Sequence, residues 1–243
     1  YRTVAGLDYA INKNTLLGFA FGSSKTQFDV AERDTSGLVE SNSLAFYGSK
    51  DFDKMYLKGA LSYDWLDAET RRFAFVEGST APIIPVAGVA NNLQAQFDGK
   101  TFNGRLEAGY KTNWKKLNIT PFAGVQLSFA KIGAATETAA ESDDALALAY
   151  SKNDAYSAPV FVGAQIDSMF MLSEGSIQPY AKLSFAHDFS TKRAMEASFV
   201  SAPGYKFEVQ GAVPDANTMD VNLGFKMTSI TNLAFYGQFN GQY

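Results

Sequence analysis

The segment Leu106–Phe129, "LEAGYKTNWKKLNITPFAGVQLSF", decides the fold class because its pattern predicts two strands joined by a short polar turn. Apolar residues recur at every second position, as on a strand whose successive side chains point to opposite faces. Arg105, Glu107 and Lys111 occupy the alternate positions of the first strand. The predicted hairpin therefore has one apolar and one charged face, and its surroundings must supply two different environments.

The same alternation extends along the whole chain and predicts an all-β protein without a convincing amphipathic helix. The clear strands run about 9–12 residues, close to the ~9–11 that a tilted strand needs to cross a bilayer and longer than the ~5–6 of an average globular strand. Ten strands are predicted: "TVAGLDYAI", "TLLGFAFG", "SNSLAFYGS", "YLKGALSYDW", the two strands of the opening hairpin, "SAPVFVGAQID", "IQPYAKLSFAHDF", "MDVNLGFKM" and "NLAFYGQFNGQY".

The connections between these strands alternate strictly between short and long. The short ones are the turns "NKN", "DFDK", "NWKK", "LSEGS" and "SITN", and the long ones cover roughly residues 23–40, 66–100, 131–155 and 190–218. Tight turns join antiparallel neighbours, so every long loop lies at one end of the strands. A Greek-key sandwich would break this order with crossovers. The pattern predicts one domain over residues 1–243, an antiparallel up-and-down β-barrel.

Composition excludes several classes of function. A formal net charge of −4 argues against nucleic acid as a partner, because phosphate binding needs concentrated Lys and Arg. The absence of cysteine excludes a disulfide framework and thiol catalysis. A single histidine, His187, cannot replace the thiolates of a structural zinc site. No run of 18 or more apolar residues predicts a transmembrane helix.

Two features predict that the apolar face of the barrel meets lipid. The polar face is rich in Gly, Ala and Ser with scattered charges, which suits a narrow lumen, and aromatic residues cluster at strand ends, which suits interfacial girdles. The alternative is a soluble barrel with its apolar face inside. The lumen-facing residues are predicted to be Lys58, Asp64, Arg105, Glu107, Lys111, Gln126, Lys182, Asn222 and Lys226. The predicted girdle residues are Tyr9, Tyr63, Trp65, Tyr110, Trp114, Phe129 and Phe185.

Several stretches resemble the autotransporter β-domain, the outer-membrane translocator of type V secretion. These are "VAGLDYAI" followed by "LLGFAFGSS", "LEAGYK" followed by "ITPFAGVQLSFAK", and "IQPYAKLSFAHDF". The most specific stretch is "ASFVSAPGYKFEVQGAVPDANTMDVNLGF". It is similar to the family's long loop, in which an Ala-Pro-Gly turn and a Phe-x-Val-x-Gly strand precede the tenth transmembrane strand. The resemblance covers essentially the whole chain in order.

This resemblance implies a monomeric 12-stranded transmembrane barrel in a Gram-negative outer membrane, with periplasmic turns and external loops. A linker helix through the lumen would join it to an N-terminal passenger domain that it helps to export. The implied partners are outer-membrane lipid, the protein's own passenger and linker helix, and barrel-assembly machinery. No cofactor, metal ion, nucleic acid or enzymatic activity is expected.

The chain departs from the family at both ends, because the pattern predicts ten strands rather than twelve. In the family's register Tyr1 begins near the second strand, and "NLAFYGQFNGQY" corresponds to the eleventh. We therefore expect a translocator domain that lacks its first and last strands, its linker helix and its passenger. The alternative is a barrel that ends here with ten strands, because Leu233, Phe235, Phe239 and Tyr243 alternate toward a C-terminal aromatic residue.

Other functions remain open at this point. The chain can be a general outer-membrane pore or adhesin barrel. It can also be a hydrolase active at the rim, with His187 beside Asp188 as a general base, although a rim histidine that only contacts loops is the simpler interpretation. The acidic segment "ETAAESDDALALAYSKND" is either a calcium site or a solvated loop.

The lumen charges also allow two interpretations. Arg105 and Glu107 on one predicted strand, with Lys58 and Asp64 on its neighbour, can form an ion-pair ladder that lines the lumen and contacts a linker helix. The alternative is that these charges only hold the shape of the barrel.

Overall fold

The computed structural model describes residues 1–30, 34–78, 88–139, 144–211, 213–229 and 234–243. Among these residues, none lies in a helix long and apolar enough to span a membrane. The described strands are β1 (Arg2–Asn12), β2 (Thr15–Val30), β3 (Thr35–Phe52), β4 (Met55–Val76), β5 (Val89–Tyr110), β6 (Thr112–Trp114), β7 (Leu117–Ile132), β8 (Ala135–Thr136), β9 (Thr138–Ala139), β10 (Leu148–Tyr150), β11 (Asn153–Ser157), β12 (Pro159–Asp167), β13 (Phe170–Leu172), β14 (Gly175–Asp188), β15 (Ala194–Phe199), β16 (Ala202–Gln210), β17 (Asn217–Ser229) and β18 (Ala234–Gln242).

The main sheet confirms the predicted up-and-down order of ten strands. Its strands follow the chain in the order β1-β2-β3-β4-β5-β7-β12-β14-β17-β18, and each pairs antiparallel with the next. Within the described residues β1 and β18 do not pair with each other, so the sheet has two edges.

The predicted short connections are tight turns. The chain turns at residues 13–14, 53–54, 115–116 and 173–174, all at the same end of the sheet. Asp53 and Lys115 adopt positive φ angles of 57° there, which two-residue turns between antiparallel strands favour. The prediction for "SITN" falls mostly on residues outside the described part of the chain.

Two of the predicted long loops are mostly strand. β2 and β3 pair from Thr15↔Lys50 to Val30↔Thr35, and β4 and β5 remain paired as far as Val76↔Val89. The prediction of loops over residues 23–40 and 66–100 is therefore wrong, and β4 and β5 reach 22 residues each. The extensions of β2, β3 and β4 carry polar side chains on both faces, so they lack the hydropathy alternation that marks a strand next to lipid.

The other two predicted loops, residues 131–155 and 190–218, contain short strands. They supply a second, four-stranded sheet in the order β16-β15-β10-β8, while β9 pairs with β5 at Leu93↔Ala139. Leu93, Ala95, Ala147 and Ala197 are buried where these segments fold against the extension of β5. This small core lies beyond the band of apolar strand residues.

The main sheet curls toward its polar face. Glu107 on β5 and Lys182 on β14 are separated by β7 and β12, yet the Lys182 Nζ lies 3.2 Å from a Glu107 carboxylate oxygen. Neighbouring strands are about 4.8 Å apart, so these side chains can meet only across the concave side of a curled sheet. The polar face is therefore the inner face.

The outer face of the main sheet is apolar and exposed. Its exposed side chains include Leu57, Leu61, Leu106, Val125, Leu127, Val162, Leu183 and Leu223. An apolar surface this continuous is foreign to a water-exposed monomer and normal for a face in contact with lipid. The soluble alternative, with the apolar face inside, is wrong.

Candidate functional site

Glu107 is the centre of a polar cluster on the inner face. Its side chain is only 7% exposed, and its Oε1 accepts a hydrogen bond of 2.8 Å from the Tyr56 hydroxyl. Its Oε2 is 3.2 Å from the Lys182 ammonium and 3.4 Å from an Arg105 guanidinium nitrogen. One carboxylate thus joins side chains from β4, β5 and β14.

The strand register explains how these groups come together. Lys58 on β4 lies directly opposite Glu107, and Arg105 is two residues before Glu107 on the same face of β5. Arg105 is in turn opposite Gln126 of β7 and donates a 3.1 Å hydrogen bond to its side-chain oxygen. The predicted grouping of these residues on one face follows directly from period-2 geometry.

Aromatic rings hold the cations of this cluster. The Arg105 guanidinium lies 4.0 Å from the centroid of the Phe161 ring, and the Lys182 ammonium lies 4.1 Å from that of Phe122. Such cation–π contacts orient the charged ends while the side-chain stems lie on apolar surface. The ring of Tyr56 receives Lys58 in the same way, at 4.5 Å.

These rings are the inner-face residues that the sequence analysis missed. Tyr56, Phe122, Phe161 and Ala186 form a buried cluster inside a face that was predicted to be polar. Each of the three rings has a glycine as its cross-strand neighbour. The pairs are Tyr56↔Gly109, Phe122↔Gly163 and Phe161↔Gly124. This recurrent pairing of an aromatic residue with a glycine is the signal that would have found them.

Asp64 lies apart from Glu107. It accepts a 2.7 Å hydrogen bond from the Asn103 amide, which also donates to the Ser62 hydroxyl at 3.1 Å. Within the described part of the chain, neither Asp64 nor Lys58 has an ion pair within 4.0 Å. Of the predicted ladder, the structure brings Arg105 and Glu107 into contact and leaves Asp64 in a neutral network nearer the long-loop end.

The remaining predicted inner-face residues lie elsewhere along the same face. Lys111 forms a 2.6 Å ion pair with Asp51 at the turn end. Asn222 is opposite Lys182, and its side-chain oxygen is buried with no hydrogen-bond partner in the described residues. Lys226 lies 5.7 Å from the ring centroid of Tyr236.

A second buried carboxylate near the turn end was not predicted. Asp167 accepts hydrogen bonds from the side-chain amides of Asn118 at 2.8 Å, Gln178 at 2.7 Å and Gln165 at 3.2 Å. These four residues come from β7, β12 and β14. Amide donors carry no charge, so charge patterning in the sequence could not mark this site.

Outside the lipid-facing band, a buried ion pair ties the second sheet to β4. Glu137 is 3% exposed, and its carboxylate accepts two hydrogen bonds from Arg72, at 3.0 and 2.6 Å. It also accepts bonds of 2.9 Å from the Leu148 backbone amide and the Tyr150 hydroxyl. Burial and the nearby carboxylate raise the pKa of the Tyr150 hydroxyl. Burial alone would lower the pKa of Arg72, but its bond to Glu137 raises it.

The predicted girdle residues lie on the outer face in two groups. Toward the turn end are Tyr9, Tyr110 and Trp114, and toward the other end are Tyr63, Trp65, Phe129 and Phe185. The register Tyr63↔Phe102↔Phe129↔Tyr156 makes a continuous aromatic row across four strands. Phe102 and Tyr156 were missed because both adjoin segments that were predicted as loops.

His187 and Asp188 do not act on each other. The His187 Nδ1 lies 2.9 Å from the Asn217 side-chain oxygen, and its ring packs edge-on against Phe189 with centroids 4.7 Å apart. Asp188 instead accepts hydrogen bonds from the Ser157 hydroxyl and the backbone amides of residues 158 and 190. This arrangement supports a structural rim histidine rather than a general base.

Part of the acidic segment considered as a calcium site, residues 140–143, lies outside the described residues. In the remainder of the described chain, no three His, Asp or Glu side chains are close enough to hold a metal ion.

Comparison with known proteins adds a family match. The autotransporter beta-domain family matches residues 1–240. A search of curated protein sequences found no match. The translocator domain of the autotransporter NalP from Neisseria meningitidis superposes with a TM-score of 0.69 at 15% identity, over 99% of this chain and 78% of that one. The beta domain of the Bordetella autotransporter BrkA gives a TM-score of 0.57 at 14% identity, over 100% of this chain and 84% of that one. At such identities the structural similarity establishes the fold.

Proposed function

Because the chain belongs to the autotransporter β-domain family, we propose that its inner face around Glu107 is the surface that holds its passenger's linker during and after export. The chain is a translocator barrel of the Gram-negative outer membrane and serves the export of a passenger domain.

The arrangement of charge around Glu107 carries the proposal. Lys58, Arg105 and Lys182 surround a single carboxylate, so the local charge is positive on a wall that faces the interior. Arg105 keeps 44% of its side-chain surface exposed, which leaves donors free for a second partner. Such a wall fits a linker helix that presents carboxylates, because Arg and Lys bind carboxylates by charge-assisted hydrogen bonds.

The side-chain oxygen of Asn222, which is buried without a hydrogen-bond partner among the described residues, also favours the inner face as the binding surface. It lies opposite Lys182, and a buried acceptor without a partner costs about 1–3 kcal/mol. A linker segment that donates a hydrogen bond here would remove that cost.

We also propose that further strands of the same protein complete the barrel. The edges of β1 and β18 expose backbone N–H and C=O groups beside apolar outward side chains such as Leu7 and Phe239. Each such group costs several kcal/mol in lipid, so the edges need partners. Two added strands satisfy them, whereas closure with ten strands would pair β1 with β18 directly. A cysteine placed in β1 and another in β18 should not form a disulfide with each other in cells. A spontaneous disulfide between them would establish that the barrel closes with ten strands.

The remaining partners follow from this arrangement. We propose a monomer, because a barrel completed by strands of the same chain encloses its own lumen, and we propose insertion by barrel-assembly machinery on the basis of the family. We propose no enzymatic activity for the barrel itself. A single-chain mass in detergent, measured by light scattering, is the expected result, and a stable dimer would contradict it.

Passenger export tests the role of the inner face. In the full-length protein, Arg105→Gln with Lys182→Gln should reduce the passenger that protease can reach on intact cells. Lys111→Gln is the matched control, because Lys111 forms an exposed ion pair with Asp51 at the turn end. Heat-dependent gel mobility reports whether each variant folds. Normal export by a folded double variant would contradict the role of the inner face without affecting the family assignment.

A further inference from the structure

Two lysines face each other on the outer face, just beyond the aromatic row. Lys100 of β5 is the cross-strand partner of Lys131 of β7, two residues from the pair Phe102↔Phe129. On the other side of Lys100, its partner on β4 is Trp65. Aromatic belts mark the depth of the lipid headgroups, so the two ammonium groups lie at headgroup level.

Among the residues that the structure describes, neither lysine forms an ion pair. In the described part of the chain no carboxylate lies within 4.0 Å of the ammonium group of Lys100 or Lys131. Like charges directly opposite each other in a sheet are destabilising. An anion between the two ammonium groups would reverse the sign of this interaction.

The surroundings form a shallow recess of mixed charge. Lys152 lines it together with Lys100 and Lys131, and Asp98 and Asp154 lie at its sides. Three cations against two carboxylates leave the recess positive by one charge. Asp154 is the cross-strand partner of Lys131, but its carboxylate lies more than 4.0 Å from the Lys131 ammonium group. The hydrogen-bond donors of that ammonium group therefore remain available for a ligand.

A fourth lysine, on β2 of the main sheet, has the opposite character. Lys25 lies on the same outer face, but its ammonium is 2.6 Å from the Glu40 carboxylate. Lys25 is therefore a neutralised and half-buried lysine, whereas the unpaired lysines of the recess are exposed.

We propose that Lys100 and Lys131, with Lys152 beside them, bind a phosphate group of the glycolipid of the outer leaflet. The recess lies at the end of the strands that carries the second sheet, which is the external end of a translocator barrel. This orientation, and with it the choice of leaflet, rests on the family assignment. Lysine stems extend along apolar surface and bring their ammonium groups to headgroup level, where phosphate oxygens accept hydrogen bonds. The acyl chains of the same lipid would then lie on the row formed by Phe102, Phe129 and Tyr156.

Binding of a defined lipid to the purified full-length protein in detergent tests the proposal. The probe is a diphosphorylated glucosamine lipid of the lipid A type, and its dephosphorylated form is the comparison. Native mass spectrometry should give an affinity for the phosphorylated lipid that is about tenfold or more weaker in Lys100→Gln with Lys131→Gln, because each lysine near a charged lipid surface contributes about 1 kcal/mol. Lys25→Gln should bind like the wild type, and Lys100→Arg with Lys131→Arg should retain binding.

Thermal unfolding supplies a second readout that does not depend on how well the variants express. Without the lipid, the double glutamine variant should unfold at the same temperature as the wild type or higher, because a like-charge pair has been removed. With the lipid, the wild type, the arginine variant and Lys25→Gln should gain stability, whereas the double glutamine variant should not. Equal binding of the phosphorylated and dephosphorylated lipids, full affinity in the glutamine variant, or an equal loss in Lys25→Gln would each overturn the proposal.

Discussion

Phe122 and Gly163 lie directly opposite each other on β7 and β12, and the phenyl ring of Phe122 occupies the space that a Cβ at position 163 would fill. Two residues away the relationship is reversed, with the ring of Phe161 over Gly124. The two rings pack at a centroid distance of 6.3 Å. The Phe122 ring contacts the Lys182 ammonium and the Phe161 ring contacts the Arg105 guanidinium, so these two packed strands support both cations.

Gly163→Ala should therefore destabilise the barrel. The new methyl group would overlap the Phe122 ring and the Leu183 carbonyl oxygen, and overpacking of this kind costs about 1–3 kcal/mol. Gly204→Ala is the control, because no atom lies within 4 Å of a Cβ at that position. Urea unfolding of the reconstituted barrel measures both, and equal midpoints for the two variants would contradict the packing argument.

Glu107→Gln should destabilise the inner cluster, because it leaves Lys182 and Arg105 side by side without their shared anion. We expect a loss of about 1–3 kcal/mol, below the ~3–5 kcal/mol of a fully buried pair because Arg105 is partly solvated. Lys111→Gln, which removes an exposed ion pair with Asp51, should cost less than about 1 kcal/mol. Unfolding midpoints in urea measure both losses of stability. A larger loss in Lys111→Gln than in Glu107→Gln would contradict this ranking.

Arg72→Gln should loosen the second sheet while the main sheet stays folded. It leaves the Glu137 carboxylate, 3% exposed, without its cation, and breaking a buried pair from one side costs about 3–5 kcal/mol. Hydrogen exchange should accelerate in Leu148–Tyr150 and in Ala194–Phe199. The neighbouring Arg71→Gln is a matched control, because Arg71 is exposed and pairs with Glu69. Unchanged hydrogen exchange in both strands of the Arg72 variant would show that the Arg72–Glu137 ion pair does not stabilise the second sheet.

The strand order and the polar inner face were predictable because both depend on period 2 and on turn length. In the lipid-facing band the two faces differ sharply in polarity, so the hydropathy of residues such as Leu106 and Glu107 alternates and reveals the register. Beyond the band, β2, β3 and β4 carry polar side chains on both faces and the alternation fades there. In β5 the face that carries Leu93 and Ala95 is covered by folded loop segments that a local pattern does not reveal. The strand extensions were therefore mistaken for loops.

The long-range contacts of Glu107 and Glu137 were not predictable in the same way. Lys182 reaches Glu107 across two intervening strands, and no local pattern encodes how far the sheet curls. Likewise Arg72 and Glu137 lie 65 positions apart in the sequence and meet only after two loops have folded back. A pairwise rule for neighbouring strands finds Lys58 opposite Glu107 but cannot find either of these partners.

Tyr150 should make the stability of the second sheet depend on alkaline pH. Burial and the Glu137 carboxylate raise the pKa of its hydroxyl in the folded protein, whereas in the unfolded chain the value is about 10. Above pH 10 the unfolded state loses this proton and the folded state keeps it, so stability falls as pH rises. Below that pH the contribution is fully present.

Tyr150→Phe isolates this effect from the titration of other groups. The variant lacks the 2.9 Å hydrogen bond to Glu137 and should be less stable than the wild type at pH 8, by about 1–2 kcal/mol. As the pH rises from about 9 to 11, the wild type should lose stability faster than the variant, and the gap between them should narrow. Hydrogen exchange in β10 and β15, measured across this pH range, reports the stability of the second sheet in the wild type and in the variant. A constant gap would mean that the hydroxyl has the same pKa in the folded and unfolded states, which would contradict its burial against a carboxylate.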